Sequence, residues 1–402
     1  TAGVFLLARS SPLIEYAPTA AAVVTIIGAI TTLFAGTIGL VQNDFKSIIA
    51  YSTCSQLGYM VTICGLNNYN VGIFHLFNHA FFKALLFLTA GAVIHSLANQ
   101  QDIRKFGGLQ QVLIFSYTAL LIGTLALVGT PFLTGFYSKD VILELAYARY
   151  SLSGNFSYLL TVFSVLTTSY YSFRLLFLCF HTYARKATNL HKQSAKQIHD
   201  ADWVMVLVLG VLALGSIYAG WFFKPMFIGL GTDFWNNSIA ISQSSGFIEA
   251  EFLPVSIKLV PLFGTMLGAL LAYLFTMVYV KQSYYYASTY LRQLLIFLNQ
   301  RWLYDKLLNE LVAYPGYRLG FTFVKVFDKG LLELLPMFGA LPESLKHLYI
   351  KLGATQSGLI YHYAAVMIFT ALCALTLLSF GDIVLFADTR LGVVLCSVLL
   401  IL

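Results

Sequence analysis

The feature that most restricts what this chain can fold into is a succession of long apolar runs almost free of charge, such as PTAAAVVTIIGAITTLFAGTIGLV over 18–41. A bilayer core of about 30 Å needs about 20 apolar residues in a helix. Lipid offers the backbone no hydrogen-bond partner, so such runs must be helical. Of the 402 residues 58% are hydrophobic and only 10% charged. Soluble domains carry about 25% charged residues, so the surface needed to stay dissolved is missing. The predicted fold class is all-α, a polytopic transmembrane helix bundle.

The spans read as 1–9 (the tail of a helix), 19–42, 45–66, 71–97, 111–148, 156–182, 203–223, 256–280 and 357–381. A further apolar run at 391–402 is short, and 225–255 reads as a longer polar loop. Span 111–148 is too long for one straight helix. Its middle reads GTPFLTG, Gly129 to Gly135, and Pro131 removes a backbone donor there. The expectation is two half-helices joined by unwound backbone, a break tolerated only inside protein or beside a wet cavity and typical of ion sites in transporters.

Residues 284–352 differ. Leu303, Leu307, Leu311, Phe321, Val324 and Phe327 recur at helical spacing, with Arg301, Asp305, Lys306, Glu310, Lys325 and Asp328 on the other face. This predicts one long amphipathic lateral helix, or a series, lying on a membrane surface or protein flank. An ordinary soluble subdomain is the plainer reading, but there is little sequence around it to supply a second layer. The domain division is therefore a bundle over 1–283, a lateral region over 284–352 and a membrane anchor over 353–402.

The net charge of +7 does not indicate nucleic acid, because the basic residues lie in loops between apolar runs. If spans alternate sides, loops 98–110, 183–202 and 281–356 share one side and hold 15 of the 24 Lys and Arg residues; the other side holds five. Such an excess marks the cytoplasm-like side. The five cysteines show no CxxC pairing, and three of them (Cys64, Cys179 and Cys373) sit in apolar stretches as small core residues. No nucleotide-binding glycine loop is visible. The chain opens on Thr1 within an apolar run, lacking the pattern of a signal peptide; the expectation is the later part of something longer.

Lys46, Lys83, Lys139 and Arg174 remain within or at the edge of apolar spans. A charge at bilayer depth costs a few kcal/mol or more and is a functional candidate by default. In HLFNHAFFK, His75, His79 and Lys83 follow one another at i, i+4, i+8, stacked about 6 Å apart on one helical stripe. Two imidazoles beside an amine can pass a proton through ordered water. The competing readings are histidines bonding between helices beside a snorkelling lysine, or a metal pair, which Lys83 would repel and no nearby carboxylate would complete. Lys139 follows the break by two turns, ahead of Asp140 and Glu144; it is either a proton carrier or a helix-end lysine reaching for water. Lys46, two residues after Asp44, divides evenly between function and an interfacial cap. Arg174 reads as structural, bonding a carboxylate or carbonyls of a neighbouring helix.

Three segments, QNDFKSIIAYSTCSQLGYM (42–60), FHLFNHAFFKALLFLTAGAVIH (74–95) and GTPFLTGFYSKDVIL (129–143), together resemble the chain 5 family of NADH–ubiquinone oxidoreductase, the distal antiporter-like subunits of respiratory complex I. TSYYSFRLLF, RWLYDK, DKGLLELL and SGLIYHYAAVM extend the likeness over nearly the whole chain, the last two in mitochondrial style. The resemblance implies a second half-channel using His75, His79, Lys83 and Lys139, a lateral helix along the membrane arm, and a final anchor. The family's first half, with its own broken helix and Glu–Lys pair, lies outside this sequence, and it is expected either on a separate chain or on residues upstream of Thr1.

The expected function is thus a proton-translocating subunit of complex I in the mitochondrial inner membrane, with basic loops and lateral helix facing the matrix. Its expected partners are other membrane subunits, including neighbouring antiporter-like ones, and lipid. No cofactor is expected on this chain; FMN, iron–sulfur clusters and ubiquinone belong to other subunits. The alternatives are a subunit of a multisubunit cation/proton antiporter and a structural scaffold of the membrane arm.

Overall fold

The computed structural model describes residues 1–183, 199–229, 231–236, 238–240, 246–278, 289–332, 341–354 and 356–379. Among these the chain is helical without a strand; one isolated bridge joins Asp44 to Asp102. Among the described residues, five helices are long and apolar enough to cross a membrane. The short apolar run at 391–402 lies outside the described residues.

The chain forms two compact units, 1–305 and 306–402. The first begins with α1 (Ala2–Arg9) and α2 (Ser11–Glu15). Then come α3 (Pro18–Val41), α4 (Phe45–Gly65) and α5 (Tyr69–Ser96). These follow the apolar runs, with Pro18 at the first turn of α3, where its missing N–H costs nothing. Helices α3 and α4 approach closely through small residues: a Cβ on Gly28 would lie 2.6 Å from the Thr62 backbone nitrogen. Small residues are how membrane helices gain van der Waals contact without a hydrophobic driving force.

The long span 111–148 resolves into α6 (Ile114–Val128) and α7 (Phe136–Ala148), separated by non-helical backbone. The break therefore falls where Pro131 places it. Gly129 caps α6 in the left-handed region at φ 88, a conformation open to glycine at little cost. Helix α8 (Leu152–Leu176) runs on through a wide turn to His181. Helix α9 spans Trp203–Ile228 and α10 spans Val260–Tyr273, the latter lengthened by a wide turn, Leu274–Val278. Region 225–255 is less loop-like than its polarity predicts. Helix α9 runs past Pro225, and short helices cover Phe247–Glu251 and Val255–Lys258. Pro225 sits in the last turn, where few later residues depend on it.

The alternation of sides read from charge is visible in loop contacts. At one end Phe45 donates to the Gln101 carbonyl at 2.9 Å and Ile103 to that of Asn43 at 2.9 Å, and the Phe115 amide donates to Asp200 at 2.7 Å. At the other end Arg9 donates to the Ser238 carbonyl at 3.0 Å and the Ala240 amide to Ser11 at 2.9 Å. Loops predicted to share a side therefore meet.

The first unit ends with α11 (Thr289–Asn299) and a turn at Arg301–Leu303 whose three residues lie at φ 55 to 58. Trp302 stacks on Phe297 and meets Phe34 edge-on, so the start of the amphipathic stretch is fastened to α3. In the second unit, helical turns cover Asn309–Ala313, Tyr314–Thr322 and Phe323–Leu332, followed by helices Leu341–Ala354 and Ile360–Ser379. The stretch expected over 284–352 is thus a series of helical pieces. Residues 284–288 and 333–340 lie outside the described ones.

Candidate functional site

A line of buried polar side chains runs through the first unit, drawn from α4, α5, α7 and α8. From α5 come His75, His79 and Lys83, which are 1%, 4% and 4% exposed. They share a stripe because four residues make about one helical turn. From α7 comes Lys139, 1% exposed.

Lys83 Nζ donates to the Ser52 hydroxyl of α4 and lies 5.7 Å from the centre of the Phe87 ring. His79 meets Phe82 edge-on, and its Nε2 is buried without a partner among the described residues. The His75 ring stands 6.4 Å, centre to centre, from that of His79. Both His75 nitrogens are engaged: Nδ1 with Ser138 Oγ at 2.8 Å and Nε2 with Gln56 Oε1 at 3.0 Å. Lys139 Nζ donates to the Val128 carbonyl at 3.3 Å and to Thr168 Oγ1 at 3.2 Å, over the Tyr59 ring at 5.6 Å. Val128 ends α6, and its carbonyl belongs to the last turn, which lacks intrahelical donors and carries the negative end of the helix dipole. The break thus creates the acceptor that holds Lys139.

Backbone and side-chain bonds pin the break. The Thr134 amide donates to the Ser216 carbonyl at 3.2 Å, Thr134 Oγ1 donates to the Gly215 carbonyl at 3.0 Å, and the Gly220 amide donates to Thr134 Oγ1 at 3.1 Å. Asn78 Nδ2 reaches the Thr134 carbonyl at 3.5 Å. One threonine therefore joins the break to α9 and to the histidine helix.

Beyond Lys139, a cavity of about 190 Å³ is lined by Asp140, Glu144, Lys224, Glu251 and Lys258. Lys258 Nζ donates to the Glu251 carbonyl at 2.8 Å. This cavity lies toward the end of the bundle opposite loop 98–110, since α7 runs from the break toward the short loop that precedes α8.

Of the residues singled out in the sequence, His75, His79, Lys83 and Lys139 come together in the buried line. Asp140 faces the cavity and Pro131 lies exposed in the break. Arg174 donates to the Gln42 carbonyl at 2.7 Å and to Asn43 Oδ1 at 3.1 Å, bonding the end of α3. Lys46 is exposed, in the first turn of α4. Asp44 occupies the N-cap position of that helix, and its carboxylate accepts from Ser47 Oγ. The sequence reading missed Ser52, Gln56, Tyr59, Ser138 and Thr168. A signal existed: Ser52 and Gln56 stand four residues apart on α4, matching the spacing of the α5 stripe.

Residues 1–169 match the family described as NADH:quinone oxidoreductase/Mrp antiporter, TM, and residues 246–378 match NADH dehydrogenase subunit 5 C-terminus. The chain is 48% identical over 398 residues to NADH-ubiquinone oxidoreductase chain 5 of Marchantia polymorpha, covering 97% of this chain and 58% of that protein. The chain 5 protein of Arabidopsis thaliana is 46% identical over 400 residues, covering 98% of this chain and 59% of the relative. The chain therefore spans somewhat under three-fifths of the length of these relatives. A solved structure of an Mrp complex from Dietzia sp. DQ12-45-1b contains a chain of the same fold, with TM-score 0.55 and 20% identity over 94% of this chain and 36% of that one. With both family matches and this identity over nearly all of its residues, the chain belongs to the NADH–ubiquinone oxidoreductase chain 5 family of antiporter-like membrane proteins.

Proposed function

We propose that the chain is a proton-translocating membrane subunit of respiratory complex I, in which NADH:ubiquinone oxidoreduction on other subunits drives proton movement through this one. The observation that carries the reading is the burial of two lysines, Lys83 and Lys139, in one line with two histidines, neither lysine forming an ion pair among the described residues. Burying a charge without a counter-charge costs several kcal/mol. Proton carriage explains why a fold would bear that cost twice.

In this reading Lys83, His79, His75 and Lys139 hold and hand on protons. Ser52, Ser138 and Thr168 are hydroxyls that both donate and accept. Asp140 and the charged cavity beyond it give an aqueous end to the path. Lys46 sits at the opposite mouth, where α4 begins. FMN, iron–sulfur clusters and ubiquinone belong to other subunits, and no redox step is placed on this chain. The setting is the mitochondrial inner membrane, with loops 98–110 and 183–202 and the amphipathic stretch on the matrix side. The partners are other membrane subunits of the complex, neighbouring antiporter-like subunits among them, with the apolar stripe of Leu307, Leu311 and Phe321 as a clamp.

Lys83→Ala tests the reading. In the assembled complex, proton pumping and coupled turnover should fall roughly tenfold or more, as when a positioned proton carrier is removed. Normal pumping in an assembled Lys83→Ala complex would sink the proposal. A second reading, a subunit of a cation/proton antiporter, draws on the fold shared with the Mrp chain. The subunits that co-purify with the chain divide the two: NADH-oxidising partners favour the first reading.

A further inference from the structure

The line of polar groups has a join, and Gln56 sits on it. On one side Lys83 is bonded to Ser52, with His79 a turn away on the same helix. On the other, His75 is bonded to Ser138, the residue next to Lys139. Between them the two imidazoles stand 6.4 Å apart, centre to centre, tilted by 45°. His79 Nε2 bonds nothing among the described residues, and both His75 nitrogens are already taken, by Ser138 and Gln56. The rings therefore make no direct bond to each other.

A histidine relays a proton by taking it at one ring nitrogen and releasing another from the other. Each neighbour must then be able to gain and lose a proton in turn. Ser138 meets that need at Nδ1, since a hydroxyl is donor and acceptor at once. Gln56 does not meet it at Nε2. A carboxamide offers an acceptor oxygen or a donor NH₂, but near neutral pH it neither keeps an added proton nor gives one up. This holds whichever end of the amide faces the ring. Gln56 is 0% exposed and His75 1%, so bulk water does not compete for that nitrogen.

We propose that Gln56 is a positioning residue that closes the Nε2 face of His75 with a group that carries no proton, so that the Lys83–His79 end of the line is insulated from the Lys139 end. Such a stop has a purpose in a pump: a continuous line between two aqueous ends would leak. The inference rests on the proton-carrying reading of the line.

The test uses sealed membrane vesicles bearing the assembled complex, with passive proton leak measured in the absence of NADH and protons moved per NADH measured in its presence. Gln56→Glu keeps the shape but supplies a group that gains and loses a proton. Leak should rise roughly tenfold or more, and protons per NADH should fall. Gln56→Leu removes the hold without supplying a carrier, and its leak should stay at the wild-type level. Gln56→His provides a second titratable replacement should the glutamate variant assemble poorly, with the same rise expected. Wild-type leak in both titratable variants overturns the proposal. So does a leak in Gln56→Leu equal to theirs, which would mean simple loosening. Adding Lys83→Ala to Gln56→Glu should abolish the extra leak. If Lys83→Ala alone pumps normally, the proton-carrying reading has failed, whatever Gln56 does.

Discussion

Helix α5 and the helical turns from Asn309 to Leu332 both place charged residues at helical spacing, in opposite surroundings. On α5, Lys83 is 4% exposed and held by a neighbouring helix. In the second unit, Lys306 faces Glu310 at 3.8 Å with both side chains about two-thirds exposed, Arg318 lies over the Tyr314 ring at 4.7 Å and Lys325 over Phe321 at 4.9 Å. The first charge is desolvated and depends on its surroundings being in place. The others are solvated and supported within their own helix. Spacing alone does not separate these cases. What separates them is the opposite face: on α5 the face away from the His75, His79 and Lys83 stripe is apolar, while the second stretch alternates Leu and Phe with charge, so its lysines have somewhere wet to point.

The comparison makes the buried site the fragile one, and the break is where that should show first. A Cβ on Gly135 would overlap the Ala126 carbonyl oxygen, a backbone atom that cannot move aside. Gly135→Ala should destabilise by about 1–3 kcal/mol through overpacking, and more if the break must re-form elsewhere. Thr134→Val keeps the volume but removes the bonds to the Gly215 carbonyl and the Gly220 amide, about 0.5–1.5 kcal/mol each. Both should lower the abundance of assembled complex on native gels, and Thr134→Ser should restore most of it by returning the hydroxyl. Wild-type abundance in both Gly135→Ala and Thr134→Val would mean that the break is not held by α9.

Much of this arrangement was legible in the residues. The i, i+4, i+8 stripe of His75, His79 and Lys83 and the proline-marked break both report local geometry, which periodicity encodes. Loop contacts such as Asn43 with Ile103 followed from counting spans and charges. The partners were harder to see. Ser52, Gln56 and Thr168 are small or neutral and cost little in an apolar helix; Ser52 donates to the Ile49 carbonyl of its own helix, as Thr25 does to Ala21, so its residue type alone does not reveal that it also holds Lys83. The place of the turn at Arg301–Leu303, within a stretch read as one helix or a series, was also hidden, because that turn contains neither glycine nor proline. It is held instead by aromatic contacts of Trp302 with Phe297 and Phe34.

A middle case lies on the loop that joins the start of α4. Arg104 makes paired bonds to Asp102, the shortest 2.8 Å, and these hold the Asp102 carboxyl below the usual carboxylate range. A depressed folded value means that the pair stabilises above the unfolded value of about 3.9 and that this contribution is lost as pH falls through the folded one. Arg104 is more than half exposed, so the contribution is at most about 1 kcal/mol. Arg104→Gln should lower the thermal midpoint slightly at pH 7, and the difference from wild type should shrink as pH falls below about 3.9. A difference that persists there would assign the loss to packing of the arginine stem rather than to charge.

The smallest effect is expected at Lys306. Its pair with Glu310 is an i,i+4 contact at long distance between two exposed side chains, a geometry that contributes about 0.3–0.5 kcal/mol and is screened by salt. Lys306→Ala should leave the abundance and thermal midpoint of the complex unchanged within error, at low and at physiological salt. The neighbouring apolar residues set the contrast. Leu307 and Leu311 are 52% and 66% exposed in the isolated chain, and covering them with a partner would stabilise by about 25 cal/mol per Å² removed from water. Leu307→Asp with Leu311→Asp should therefore loosen the chain's attachment while Lys306→Ala does not. If Lys306→Ala proved as damaging as the leucine pair, that lysine would be desolvated in the complex, and the division between a buried charged line and a solvated charged face would fail.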